Sequence, residues 1–154
     1  MSTARIRSRV PSAKVVAVAK LAQHKLKFHK ASKDGSAKCD ILRTEDYKDV
    51  VYGVIFEVGE AEKLDLDRIE GLGFGYDEKE IQVITLEEVE MTAITYFATK
   101  IDAQLKPYHW YKEHVLRGAK ENHLPDDYIV EIKKIESIND PNQERHNKET
   151  SICS

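Results

Sequence analysis

The stretch Asp67-Arg-Ile-Glu-Gly-Leu-Gly-Phe-Gly-Tyr76 has the residue types and spacing that could do chemistry. It sets one carboxylate, Glu70, where a short helix over Ala61 to Ile69 gives way to a loop with glycines at 71, 73 and 75. Glycine reaches positive φ without steric cost, and a glycine-rich turn lets a small ligand approach the main chain. A glutamate at such a turn, flanked by Phe74 and Tyr76, is expected to be partly desolvated. Its pKa would then rise toward neutrality, where one carboxylate can both take and give a proton. The same residues also suit a plain helix C-cap beside a solvated glutamate.

Other chemistries find less support. No G-x-S-x-G elbow and no GxxxxGK[ST] cradle occurs, and the glycines follow a helix where a dinucleotide fingerprint would open one. The six histidines never fall at the i, i+4 spacing of a helical zinc pair, so a metal centre is not expected. Cys39 and Cys153 form no CxxC pattern, which suits a reducing, cytoplasmic setting. A charge of −3 gives no global footprint for nucleic acid, and the basic start (Arg5, Arg7, Arg9) reads as a solvated rim. No apolar run approaches the ~20 residues that span a bilayer, so neither a membrane nor a nucleic-acid partner is expected. The pocket candidates are aromatic: Phe74, Tyr76, Tyr108, Trp110 and Tyr111, although such residues also serve as core.

The elements that must position these residues follow from periodicity. Residues 14–21 and 24–29 read as adjacent strands, and 39–44 as a short one. The nearly continuous apolar run Val50–Val58 reads as a central strand buried on both faces. Residues 79–85 and 91–98 read as two more strands across an acidic turn. Helices are expected over 108–120, behind Pro107, and over 126–135, where Tyr128, Ile129, Ile132 and Ile135 form the buried stripe. The reading is α+β: five or six strands in a small, strongly curved mixed sheet or β-barrel, with two or three flanking helices. One domain over 1–138 would precede a polar, disordered tail over 139–154.

Several phrases in order resemble the gamma-glutamylcyclotransferase family. They are Arg5-Ile-Arg-Ser-Arg-Val-Pro-Ser-Ala13, Val51-Tyr-Gly-Val54, Leu66-Asp-Arg-Ile-Glu-Gly71 with Tyr76, and Tyr111-Lys112 leading to Arg117-Gly-Ala-Lys-Glu-Asn-His-Leu-Pro125. The resemblance covers about residues 4 to 136. It implies a small barrel with a cavity at its mouth and cofactor-free cyclisation of a γ-glutamyl group to 5-oxoproline, a reaction related to glutathione metabolism. It further implies Glu70 as the acid/base, with Tyr76, Tyr111 and Gly71 around the substrate. The family pattern opens with a strand carrying a Tyr-Gly-Ser-Asn loop ahead of the segment matching Met1 to Arg5. A chain complete from Met1 is expected to be weakly active or inactive, or to rebuild its site from another subunit as a homo-oligomer. The alternative reading is a non-catalytic module binding a small carboxylate-bearing ligand on the same fold.

Overall fold

A computed structural model describes residues 2–152. Six strands fall into two sheets with five helices around them. The larger sheet has the order β4-β1-β5-β6, from β1 (Lys14–Ala22), β4 (Val50–Glu57), β5 (Tyr76–Thr85) and β6 (Glu90–Ala98). The smaller is a hairpin of β2 (His24–Ala31) and β3 (Ala37–Arg43).

The α+β class therefore stands, with three corrections to its arrangement. Every strand pairing is antiparallel and the sheets do not close into one barrel. The strands at 14–22 and 24–31 do not pair with each other. Gln23, at φ 59°, turns the chain out of one sheet into the other. The apolar strand β4 lies at a sheet edge and pairs with β1 alone. Its residues are mostly half-buried because the remaining edge borders a cavity.

Helices α3 (His109–Glu121) and α4 (Asp126–Lys134) supply the main core. Leu116, Ala119, Leu124, Ile129 and Ile132 pack on Phe28 of the hairpin, with Tyr128 and Ile135 at the margin. A second core joins Ile6, Val10 and Ala13 to Leu66 of α2 (Glu60–Glu70). Only Leu66 of that helix is buried, while Leu64 and Ile69 are exposed.

Two segments depart from the sequence reading. The basic start holds a one-turn helix, α1 (Thr3–Arg7), capped by the Ser2 side chain, which accepts from the Arg5 N–H. Arg5 faces inward, because the same turn must bury Ile6. The polar tail, expected to be disordered, forms α5 (Gln143–Ser151), capped by Asn142. It carries no buried apolar stripe and attaches by charge. Asp140 accepts from Trp110 Nε1 at 2.8 Å and from Arg145, and Glu149 accepts from Arg5. Attachment through polar pairs leaves no hydrophobic periodicity to detect.

Candidate active site

Helix α2 ends in a left-handed glycine cap. Gly71 sits at φ 76°, and the N–H groups of Gly71 and Leu72 donate to the carbonyls of Arg68 and Asp67. The helix is tied to β6 through Asp67, which accepts from Tyr96 Oη and from Lys63. Glu70 is the last helical residue, so its side chain is aimed by a fixed turn before the loop begins.

That side chain lines a cavity of about 920 Å³, bounded by β3, β4, β6, α2 and α3. It is 18% exposed, and its Oε1 lies 3.4 Å from Arg9 Nη1. Tyr76 and Tyr111 line the same cavity. Their hydroxyls meet at one residue of β3: Tyr76 Oη donates to the Cys39 carbonyl at 2.6 Å, and Tyr111 Oη accepts from the Cys39 N–H at 3.0 Å. Burial pushes both phenols up from their ordinary range, so each is a neutral group that keeps its proton. Tyr111 still has its O–H to donate, and Tyr76 has a lone pair to accept with.

Desolvation also pushes the Cys39 thiol up to about 11, which removes it as a nucleophile. Lys30 lies across the glycine loop with Nζ 4.6 Å from the Tyr76 ring centroid. Gly75 has φ 135°, which favours glycine, and a Cβ there would meet only the flexible end of Lys30, with Cε at 3.0 Å. Asp40, also on the cavity wall, bridges β3 to β6. It accepts from Ala98 N–H at 2.8 Å and lies 2.7 Å from His29 Nε2.

The structure thus brings together Glu70, Tyr76 and Tyr111, with Gly71 as the cap that follows Glu70. It does not bring the other three aromatics to the cavity. Phe74 is 77% exposed at the loop tip. Tyr108 donates to the Asp34 carbonyl and Trp110 to Asp140 in the packing behind α3. The sequence reading missed Arg5 and Arg9 by assigning the basic start to solvent. The available signal was that each precedes an apolar residue that must be buried, Ile6 and Val10, which draws its neighbour inward. Among the described residues no group of three or more His, Cys, Asp and Glu side chains could hold a metal, and Cys153 lies outside them. No helix of the described residues is long and apolar enough to cross a membrane.

The model of the AIG2-like family matches residues 50–132, the span from β4 to α4. Gamma-glutamylcyclotransferases of Homo sapiens and Mus musculus are each 34% identical to the chain, over 138 and 140 residues, covering 87% of this chain and 73% of theirs. A solved structure of a gamma-glutamyl cyclotransferase superposes with a TM-score of 0.83 at 29% identity, covering 97% of this chain and 92% of that one. The chain belongs to the AIG2-like family and, within it, with the gamma-glutamylcyclotransferases.

Proposed function

We propose that the protein is an enzyme that converts a γ-glutamyl amino acid or amine to 5-oxoproline and the free amine, with Glu70 as proton carrier. The observation that carries this reading is the placement of Glu70: a largely shielded carboxylate at a rigid helix end, on the wall of a cavity large enough for a dipeptide.

The chemistry asks little more of the protein. The γ-glutamyl ammonium gives one proton to Glu70, and the freed amine attacks its own γ-carbonyl. The tetrahedral adduct collapses by breaking the amide C–N bond as the leaving nitrogen takes that proton from Glu70. The second proton of the attacking nitrogen follows by the same carboxylate, so the amine departs as ammonium and Glu70 ends ionised. The new C–N bond closes the five-membered lactam, so no co-reactant is consumed. General acid–base catalysis contributes about 10² to 10⁴-fold. Holding nucleophile and electrophile of one molecule in a curled conformer supplies much of the rest. Tyr76 and Tyr111 form the wall that curls the substrate, with the Tyr111 O–H as donor, and Gly71 sets the direction of Glu70. A cytoplasmic setting and γ-glutamyl substrates of the glutathione class fit this reading, as does the free Cys39.

Release of 5-oxoproline from a γ-glutamyl dipeptide tests it. Wild-type protein is expected to form product, and Glu70→Gln to lose about 10² to 10⁴-fold in kcat. Full turnover in Glu70→Gln removes Glu70 from the mechanism.

A further inference from the structure

One cation on the cavity wall is bound on one side only. Arg5 is 5% exposed, yet of its donors only Nε is engaged, at 3.3 Å from Glu149 Oε2. Among the described residues Nη1 and Nη2 have no hydrogen-bond partner, and the residue lines the cavity. Taking a guanidinium out of water is expensive unless its hydrogen bonds are replaced. Among the described residues no side-chain nitrogen is both sealed from solvent and unpaired, so the Nη pair opens into the hollow, where an anion can complete the set.

The surroundings fix how that anion must approach. The guanidinium carbon stands 5.5 Å from the ring centroids of both Trp110 and Tyr111, and these contacts hold it in place. Glu149, which also lies 3.3 Å from His114 Nε2, takes the Nε edge. What remains is the Nη fork, whose parallel N–H pair matches the two oxygens of a carboxylate. Of the other cations nearby, Arg9 is engaged by Glu70, Lys38 by Asp34, and Lys63 by Asp67 and Glu78, while Lys30 lies over the Tyr76 ring and is not a fork.

We propose that Arg5 is the carboxylate receptor of this cavity, binding a carboxylate of the substrate through Nη1 and Nη2, with Glu149 of α5 orienting the fork. This rests on the cyclotransferase reading above. A γ-glutamyl amino acid offers two such groups, the carboxylate on the γ-glutamyl Cα and that of the leaving residue, and the two call for different probes.

The experiment measures binding of 5-oxoproline and of pyrrolidin-2-one, the same ring without its carboxylate, by calorimetry. Alongside, KM and kcat are taken for γ-glutamylalanine and γ-glutamylethylamine, whose leaving group has no carboxylate. Wild type, Arg5→Gln and Arg5→Lys are compared. Loss of a charge-assisted bidentate pair is expected to weaken carboxylate recognition roughly tenfold to a hundredfold in Arg5→Gln. Arg5→Lys, which keeps the charge and loses the fork, falls between. The change is expected in KM more than in kcat. If 5-oxoproline loses its advantage over pyrrolidin-2-one, Arg5 holds the Cα carboxylate. If γ-glutamylalanine loses its advantage over γ-glutamylethylamine, Arg5 holds that of the leaving residue.

The two probe pairs also report on wild type alone, should Arg5→Gln fold poorly. No preference for the carboxylate-bearing member of either pair overturns the proposal, as does a folded Arg5→Gln with both preferences intact. A wild type that discriminates through Arg5 but makes no product supports the receptor and refutes the cyclotransferase. A wild type that turns over with no dependence on Arg5 does the reverse.

Discussion

The carboxylate of Glu70 lies 3.4 Å from the guanidinium of Arg9, and this pair joins the end of α2 to the turn that follows α1. Glu70 is thus held from two directions, by its own helix cap and by a residue distant in sequence. The Arg9 and Glu70 side chains are 24% and 18% exposed, so the pair is shielded enough for geometry to matter more than surface charge. Arg9→Gln is expected to let the carboxylate wander and to lower kcat by roughly tenfold to a hundredfold with a smaller change in KM. Steady-state kinetics on a γ-glutamyl dipeptide checks this, and a change confined to KM would contradict the positioning role.

Gly71 closes the α2 cap at φ 76°. A Cβ there would find space, its nearest neighbour being the Phe74 carbonyl at 3.9 Å, so the cost of alanine is conformational. Gly71→Ala is expected to destabilise the protein by about 1–2 kcal/mol and to reduce turnover as the Glu70 turn relaxes. Thermal melting together with kcat tests both halves; an unchanged melting temperature would mean that the backbone does not need its left-handed residue.

Tyr76 ties β5 to β3 through its 2.6 Å bond to the Cys39 carbonyl. Tyr76→Phe keeps the ring against the cavity and leaves that carbonyl unpaired. A loss of about 1–3 kcal/mol is expected, read in urea unfolding at unchanged m-value. Loss of activity out of proportion to this would show that the hydroxyl also meets the substrate.

Glu149 ties α5 to the body of the protein, and its carboxyl is lowered from 4.5 to about 2, chiefly by the His114 hydrogen bond against a desolvation penalty, with Arg5 adding to it. A carboxyl whose folded pKa is depressed contributes stability that is present above its unfolded value and lost as the pH falls through the folded one. Stability should therefore decline between about pH 4.5 and pH 2, and Glu149→Gln should flatten that part of the profile. An acid limb that is identical in wild type and variant would place the tail contact outside the acid response.

Trp110 is the only tryptophan, and its indole N–H donates to Asp140. Asp140→Ala removes the acceptor of both Trp110 and Arg145. The expected result is a red-shifted tryptophan emission and a loss of stability of about 1–3 kcal/mol. An unchanged spectrum would show that residues beyond 138 do not cover this face.

The sequence by itself determined the six strands and three of the helices, and marked Glu70 as the candidate reactive group. Alternation and β-branched runs marked the strands, the Tyr128, Ile129, Ile132, Ile135 stripe marked α4, and glutamate before glycine marked the end of α2. These are local signals, decided by backbone sterics and by one buried face at a time. Tertiary structure decided what a linear pattern does not encode. The apolar run at 50–57 looks the same whether its second edge meets a strand or a hollow, yet it lies at the edge of the sheet. Tyr108, Trp110 and Tyr111 fall within four residues at the start of α3, but only Tyr111 lines the cavity. Arg5 and Arg9 read as surface charge until α2, α3 and α5 close around them with Glu70, the aromatic rings and Glu149. A charge is buried or solvated according to which distant partners reach it, and that depends on how the helices pack.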